Sequence, residues 1–292
     1  MKDKLFIFCQ YILPKKLLTR VLGCLASFRG GWLTHQVIRA FVKKYQVDLS
    51  EAEREQVIDY HSFNDFFTRT LKADSRPLAE SGLISPVDGR ISQLGVIKES
   101  QLLQAKGKYY SLEQLLAGDD VTPFKEGRFA TLYLSPRDYH RIHMPCSGTL
   151  TRMVHVPGDL FSVNPVTAQN IEGLFARNER VICYFESSEV GRFAMVLVGA
   201  TVVGSIKTTW HGVVNHKRPG HIRYWNYDHQ PLVLHQGQEM GQFLLGSTVV
   251  LLFEPGVMDF VANWQASSPI KMGEAMGELL FSNTKTGKDF SK

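Results

Sequence analysis

From about Leu83 onward the chain is written in short β-branched and aromatic runs separated by turn residues, and this texture restricts its fold most. Residues 129–134, 148–156, 180–185, 193–206, 231–234 and 248–253 each read as a strand. Ser111-Leu-Glu-Gln-Leu-Leu-Ala117 is the one clear helical interruption. Many short strands bounded by turns build a sandwich or a barrel-like core.

The chain before this region is different. Ser50-Glu51-Ala52-Glu53 has the capping-box pattern and predicts a helix start. His61-Ser-Phe-Asn-Asp-Phe-Phe-Thr-Arg69 predicts a second, short helix, and Pro77 marks the exit. Residues 1–47 carry Lys2, Lys4, Lys15, Lys16, Arg20, Arg29, Arg39, Lys43 and Lys44 against Asp3 alone, so the net charge of +5 is concentrated here. A basic end on a weakly acidic body points to an anionic surface, either nucleic acid or membrane.

Leu5, Phe6, Ile7, Phe8, Leu17, Leu18, Val21 and Leu22 favour the membrane. Pro14-Lys15-Lys16 and Arg20 keep any run below the ~18–20 apolar residues of a spanning helix. Two arrangements stay open for this segment: an amphipathic helix in the membrane interface, and a helix packed on the protein's own core. The expected fold is therefore α+β. A β-rich sandwich or barrel-like core (76–292) carries an N-terminal amphipathic helical appendage (1–75). Cys9, Cys24, Cys146 and Cys183 show no paired short spacing, which fits a reducing cytoplasm.

Two constellations carry chemistry. Gly246-Ser247-Thr248 interrupts the apolar run Phe243-Leu-Leu-Gly-Ser-Thr-Val-Val-Leu-Leu-Phe253 and places a hydroxyl beside an unshielded glycine carbonyl. Ser135-Pro-Arg-Asp-Tyr-His-Arg-Ile-His-Met-Pro145 gathers Asp138, His140 and His143 after a strand. Three readings compete for the histidines: metal ligation with Cys146, burial with backbone partners, and acid–base activation of a hydroxyl. The last needs a nucleophile and a carboxylate, which Ser247 and Asp88 of Ser85-Pro-Val-Asp-Gly-Arg90 offer.

Pro86-Val-Asp-Gly89, the Ser135-to-Pro145 run, Val156-Pro-Gly-Asp-Leu-Phe-Ser-Val-Asn164 and Leu245-Gly-Ser-Thr248 together resemble the motifs of the long, membrane-associated bacterial phosphatidylserine decarboxylases. The resemblance runs from the basic amino terminus to the end of the chain. It implies self-cleavage between Gly246 and Ser247 into chains 1–246 and 247–292, with Ser247 converted to a covalent pyruvoyl cofactor. Asp88, His143 and Ser247 then resemble the processing triad, with Asp138 and His140 auxiliary and Phe161 and Ser162 at the substrate. The implied reaction converts phosphatidylserine to phosphatidylethanolamine and CO2. It uses neither a metal nor pyridoxal phosphate, and no nucleic acid partner.

The implied assembly is a heterodimer of the two cleavage chains, further paired as a homodimer. The implied location is peripheral, on the cytoplasmic side of the inner membrane. A metal-dependent hydrolase using His140 and His143, and a non-enzymatic membrane-binding module, are the competing functions.

Overall fold

The computed structural model describes residues 2–80, 82–201, 205–215, 220–244 and 247–280. Three helices open the chain: α1 (Lys2–Ile12), α2 (Lys15–Ser27) and α3 (Trp32–Tyr45). A short helix, α4 (Phe63–Phe67), follows, its first turn capped by Ser62 accepting from the Asp65 N–H. The capping-box pattern at Ser50 starts no helix. Asp48 Oδ1 takes both the Ser50 N–H (2.8 Å) and its hydroxyl (2.7 Å), and Ala52 bridges to Leu71 instead. A local Asx turn has outcompeted the helix.

The body is built on a nine-stranded antiparallel sheet. Its main path runs Arg223–Asn226, Gly148–Val156, Arg180–Ser187, Gly191–Val198, Ser247–Phe253, Arg128–Leu134, Gly89–Val96 and Pro269–Ile270. Leu232–Leu234 also pairs with Gly148–Val156. The path has two separate ends among the described residues, so the core is a sandwich and not a closed barrel. A four-stranded sheet (Gly212–Val213, Ile206–Thr208, Glu239–Phe243, Arg141–His143) and a three-stranded one (Leu83–Ile84, Ala275–Leu279, Met258–Phe260) complete the β layers.

The expected single run over 193–206 is divided. One strand ends at Val198 in the large sheet, and the next starts at Ile206 in the small one. Two short helices, Pro165–Asn170 and Leu174–Arg177, escaped the pattern reading.

Residues Thr248–Phe253 of the strand Ser247–Phe253 are buried on both faces, which explains the apolar run from Val249 to Phe253. Val250 and Leu252 join a cluster with Ile38, Phe66 and Phe67 of the helices. Val249, Leu251 and Phe253 join a second cluster with Ile142, Ile206, Met240 and Phe243 of the four-stranded sheet. Side-chain alternation along one strand thus ties helices, large sheet and small sheet into three layers. The helical segment shares its core with the sheet.

Candidate active site

Three chain passages between the two larger sheets meet beside the start of the strand Ser247–Phe253. One follows Leu134 and contains Ser135 to His140, a second leaves Val198, and the third leaves Phe243. The Phe243 N–H donates to His140 O and the Leu244 N–H to Ser205 O, both at 3.0 Å. Leu245 and Gly246 lie outside the described residues. Ser247 pairs with Leu134, and Thr248 with Val198 on the other side. The register of the sheet therefore sets the backbone of Ser247 beside the histidine-bearing loop.

His143 ends the strand Arg141–His143 and is buried. Its Nδ1 lies 2.8 Å from Gly237 O, and a carbonyl only accepts, so Nδ1 carries the proton. Nε2 is left as the basic nitrogen and accepts from Tyr139 OH at 3.1 Å. Burial lowers the imidazole pKa against the opposing pull of the Gly237 carbonyl, so the ring is neutral at pH 7.

Asp88 reaches this neighbourhood because its turn is pinned to it: the His143 N–H donates to Pro86 O at 2.9 Å. Gly89 is required where this turn enters the sheet, since a Cβ there would lie 2.3 Å from Tyr133 O of the neighbouring strand. The Asp88 carboxylate is held by Arg76, with Nε on Oδ1 (2.9 Å) and Nη2 on Oδ2 (2.5 Å), and by the Met272 N–H (2.9 Å). Arg76 Nη2 also meets Glu51 Oε2 at 2.6 Å, and this bond holds the Glu51 carboxyl down to about 2. Among the described residues Asp88 thus bonds to Arg76 and Met272 and not to the His143 imidazole, whose pKa its charge raises only as a minor influence behind burial.

His140 is completely buried. Its Nδ1 donates to Asp138 O (2.8 Å), while Nε2 is buried without a protein partner among the described residues. The Phe67 ring sits 4.0 Å away, centroid to centroid. Burial pushes the His140 pKa down to about 3, and the nearby Arg69 charge works in the same direction. The result is a neutral imidazole with an open lone pair. An unmade buried bond costs about 1–3 kcal/mol, so a retained one asks for a role.

Asp138 Oδ2 accepts from the Ser135 N–H (2.6 Å) and hydroxyl (2.7 Å). Burial nevertheless raises its carboxyl pKa, with the Asp88 charge adding to the rise. Arg69 Nη2 donates to Arg137 O (2.9 Å) and reaches Asp138 O (3.4 Å). Arg69, Arg76, Asp88, Asp138 and Tyr139 share the wall of a cavity of about 240 Å³.

Phe161 is buried, and Asn178 frames it. Asn178 Oδ1 accepts from the Phe161 N–H (3.1 Å), and Nδ2 donates to Phe161 O (2.8 Å) and Gly199 O (2.9 Å). Gly199 directly follows Val198, the neighbour of Thr248, so Asn178 links this loop to the strand end beside Ser247. Lys15 Nζ lies 3.6 Å and the Arg177 guanidinium 4.8 Å from the Phe161 ring centroid.

Among the described residues no three His, Cys, Asp or Glu side chains gather as a metal site. The Nδ1 atoms of His140 and His143 are engaged by carbonyls. Burial pushes the Cys146 thiol up to about 12. Pattern reading missed Arg76, Arg69, Gly237 and Asn178 because their roles depend on sheet register. Tyr139 was visible inside the histidine motif itself.

A sequence profile described as phosphatidylserine decarboxylase matches residues 63–278, and a second, described as PSD, matches residues 5–46. A protein from Azoarcus sp. (strain BH72) called phosphatidylserine decarboxylase proenzyme is 58% identical over 281 residues, covering 96% of this chain and 97% of that relative. Proteins of the same description from Acidovorax ebreus (56% identical; 94% and 98% covered) and Polaromonas naphthalenivorans (55%; 96% and 98%) are similar over the same span. On a profile match that spans most of its length and on these identities, the chain belongs to the phosphatidylserine decarboxylase family.

Proposed function

We infer that this chain is a proenzyme that cuts itself between Gly246 and Ser247 and then converts phosphatidylserine to phosphatidylethanolamine and CO2. The observation that carries this reading is 58% identity over 96% of the chain to a protein described as a phosphatidylserine decarboxylase proenzyme.

In the cut, His143 Nε2 takes the Ser247 hydroxyl proton, once the Tyr139 hydroxyl has turned away from that lone pair. Serine Oγ adds to the Gly246 carbonyl, the imidazolium gives its proton to the Ser247 nitrogen as the C–N bond breaks, and an ester with a free Ser247 amine replaces the amide. Asp88, charged and clamped by Arg76, favours the imidazolium that forms. Loss of the Ser247 Cα proton, with Gly246 leaving from Cβ as a carboxylate, gives dehydroalanine, and water then releases ammonia and leaves a ketone on the new terminus.

The residues around Ser247 fit such a group. Thr248 Oγ1 and His140 Nε2 are both buried without partners among the described residues, one a hydroxyl and one an open acceptor. A terminal pyruvoyl carbonyl supplies an electron sink for the carbon that loses CO2. His140, neutral with Nε2 free, holds and returns a proton in this half of the cycle. Phe161 and Ser162 are proposed as headgroup contacts on the strength of the Asn178 link to the strand end. Asp138 is assigned to keeping the His140 segment in place through its own turn.

The separation of roles is testable by denaturing intact mass spectrometry alongside CO2 release from phosphatidylserine. Parent protein is expected as two chains, 1–246 and 247–292, the smaller lighter by one ammonia than a serine-initiated peptide. A single uncut chain with activity would refute the processing scheme. His140→Ala is expected to cut normally while turnover falls about 10²–10⁴-fold. Unchanged turnover would remove His140 from the mechanism.

The same reading makes the protein peripheral to the cytoplasmic face of the inner membrane. No helix among the described residues is long and apolar enough to cross a membrane. Helices α1–α3 leave Leu5, Phe8, Leu17, Leu25, Trp32 and Leu33 exposed among basic side chains, an apolar surface suited to a lipid interface. Trp32, 72% exposed, is a built-in probe. Anionic vesicles are expected to blue-shift the emission, with the shift absent in Trp32→Phe and weaker at high salt. An unshifted spectrum in the parent would argue against this face. A homodimer of the processed protein completes the proposal, by resemblance to the family.

A further inference from the structure

Helix α1 is built inside out. Leu5 (64%) and Ile12 (64%) are exposed, whereas its one fully buried residue is an amide, Gln10, at 5%. Burying an amide is unfavourable unless its hydrogen bonds are made, so the contacts of Gln10 show what the helix is docked to. Gln10 Oε1 accepts from the Ser162 N–H at 2.9 Å and lies 3.3 Å from Thr201 Oγ1. Thr201 Oγ1 also donates to Leu160 O, so both partners belong to the Leu160–Ser162 loop or are bonded to it. The neighbours of Gln10 press on the same loop. The Tyr11 ring meets the Phe161 ring edge-on at 5.2 Å, and Lys15 Nζ, over that ring, donates to Gln10 O at 2.7 Å.

We propose that Gln10 is a positioning residue for phosphatidylserine, setting the Phe161–Ser162 loop from the helix that meets the lipid surface. The residue contributes an acceptor to the loop and keeps the Ser162 N–H from turning toward solvent. The N-terminal helix is then part of the wall of the lipid site, because the side of α1 that faces away from the apolar surface carries the loop. This rests on the headgroup role assigned above to Phe161 and Ser162.

Gln10→Leu removes the acceptor while preserving size and apolar character, and Gln10→Glu restores an acceptor of the same reach. Three measurements apply to both variants and the parent. They are the amide exchange rate at Ser162, sedimentation with phosphatidylcholine vesicles containing phosphatidylserine, and steady-state decarboxylation in those vesicles. Gln10→Leu is expected to cut itself and sediment like the parent. Ser162 should exchange about tenfold faster, and KM should rise about tenfold with kcat within about twofold. Gln10→Glu is expected to return both values toward the parent.

The inference is overturned if Ser162 exchange in Gln10→Leu matches the parent. It also fails if KM is unchanged, if Gln10→Glu is as impaired as Gln10→Leu, or if the loss follows weaker sedimentation or a lower Tm. A parent without decarboxylation refutes the proposed function instead, and the exchange rate still decides the tether.

Discussion

Replacing Ser247 with alanine is expected to yield one uncut chain of 33.0 kDa whose decarboxylation is reduced more than about 10⁴-fold. The size of the effect follows from the double use of one residue. Without the hydroxyl no ester forms at Gly246, and without the cut no ketone appears at the head of the strand. The substitution should leave the fold alone. The strand Ser247–Phe253 is held through its main chain to Arg128–Leu134 and Gly191–Val198, and alanine keeps every one of those bonds. Circular dichroism matching the parent, with a single mass, is the expected pair of results. Two chains from Ser247→Ala would place the scissile bond elsewhere.

The second large effect is expected at Arg76, a residue that touches neither Ser247 nor either imidazole in the described bonds. Arg76→Met strips two charge-assisted bonds from Asp88 and one from Glu51. The side chains of Arg76 and Asp88 are only 6% and 10% exposed, so the carboxylate would be left buried and uncompensated. Removing one partner of such a pair costs about 3–5 kcal/mol, which lowers Tm by roughly 10 °C in a chain of this size.

The carboxyl has one escape, which is to take up a proton. Its charge then no longer favours the His143 imidazolium, so self-cleavage should slow together with the loss of stability. Thermal melting and the ratio of cut to uncut chain report the two effects separately. A double variant with Asp88→Asn should melt well above the sum of the single losses, because no orphaned charge remains. Additive losses would show that Arg76 and Asp88 do not depend on each other.

How far the sequence revealed this arrangement differs from residue to residue. His140 and His143 were legible because their motif is local, and Asp88 because Gly89 marks a turn. The tautomers were not legible. They depend on Gly237 O and Asp138 O, and Gly237 is held near His143 by the bonds of Met144 with Gln238 O and the Gly237 N–H, beyond a strand pairing that shifts between Glu239 and Gly241. Nothing in spacing announces such a register.

The same limit explains the divided strand after Val198, where apolar content continues across a change of sheet. At Ser50 the pattern for a cap was present, but Asp48 two residues earlier offered the serine a closer partner. Gln10 carried no signal in the sequence, and the docked loop explains its burial. The alternatives left open for the basic segment also divide by residue: Ile38 packs with the core, while Trp32 and Leu33 do not.

The placement of Ser247–Phe253 between two partner strands also decides how the protein lives after maturation. As one chain, the apolar strand finds its neighbours by an intramolecular search. On the proposed cut, 247–292 would be a separate polypeptide, and the same strand released by unfolding would have to return by collision, with an unprotected apolar edge open to other copies. The uncut Ser247→Ala chain is therefore expected to regain its circular dichroism after denaturation, whereas the two-chain protein is expected to depend on slow unfolding and not on recovery.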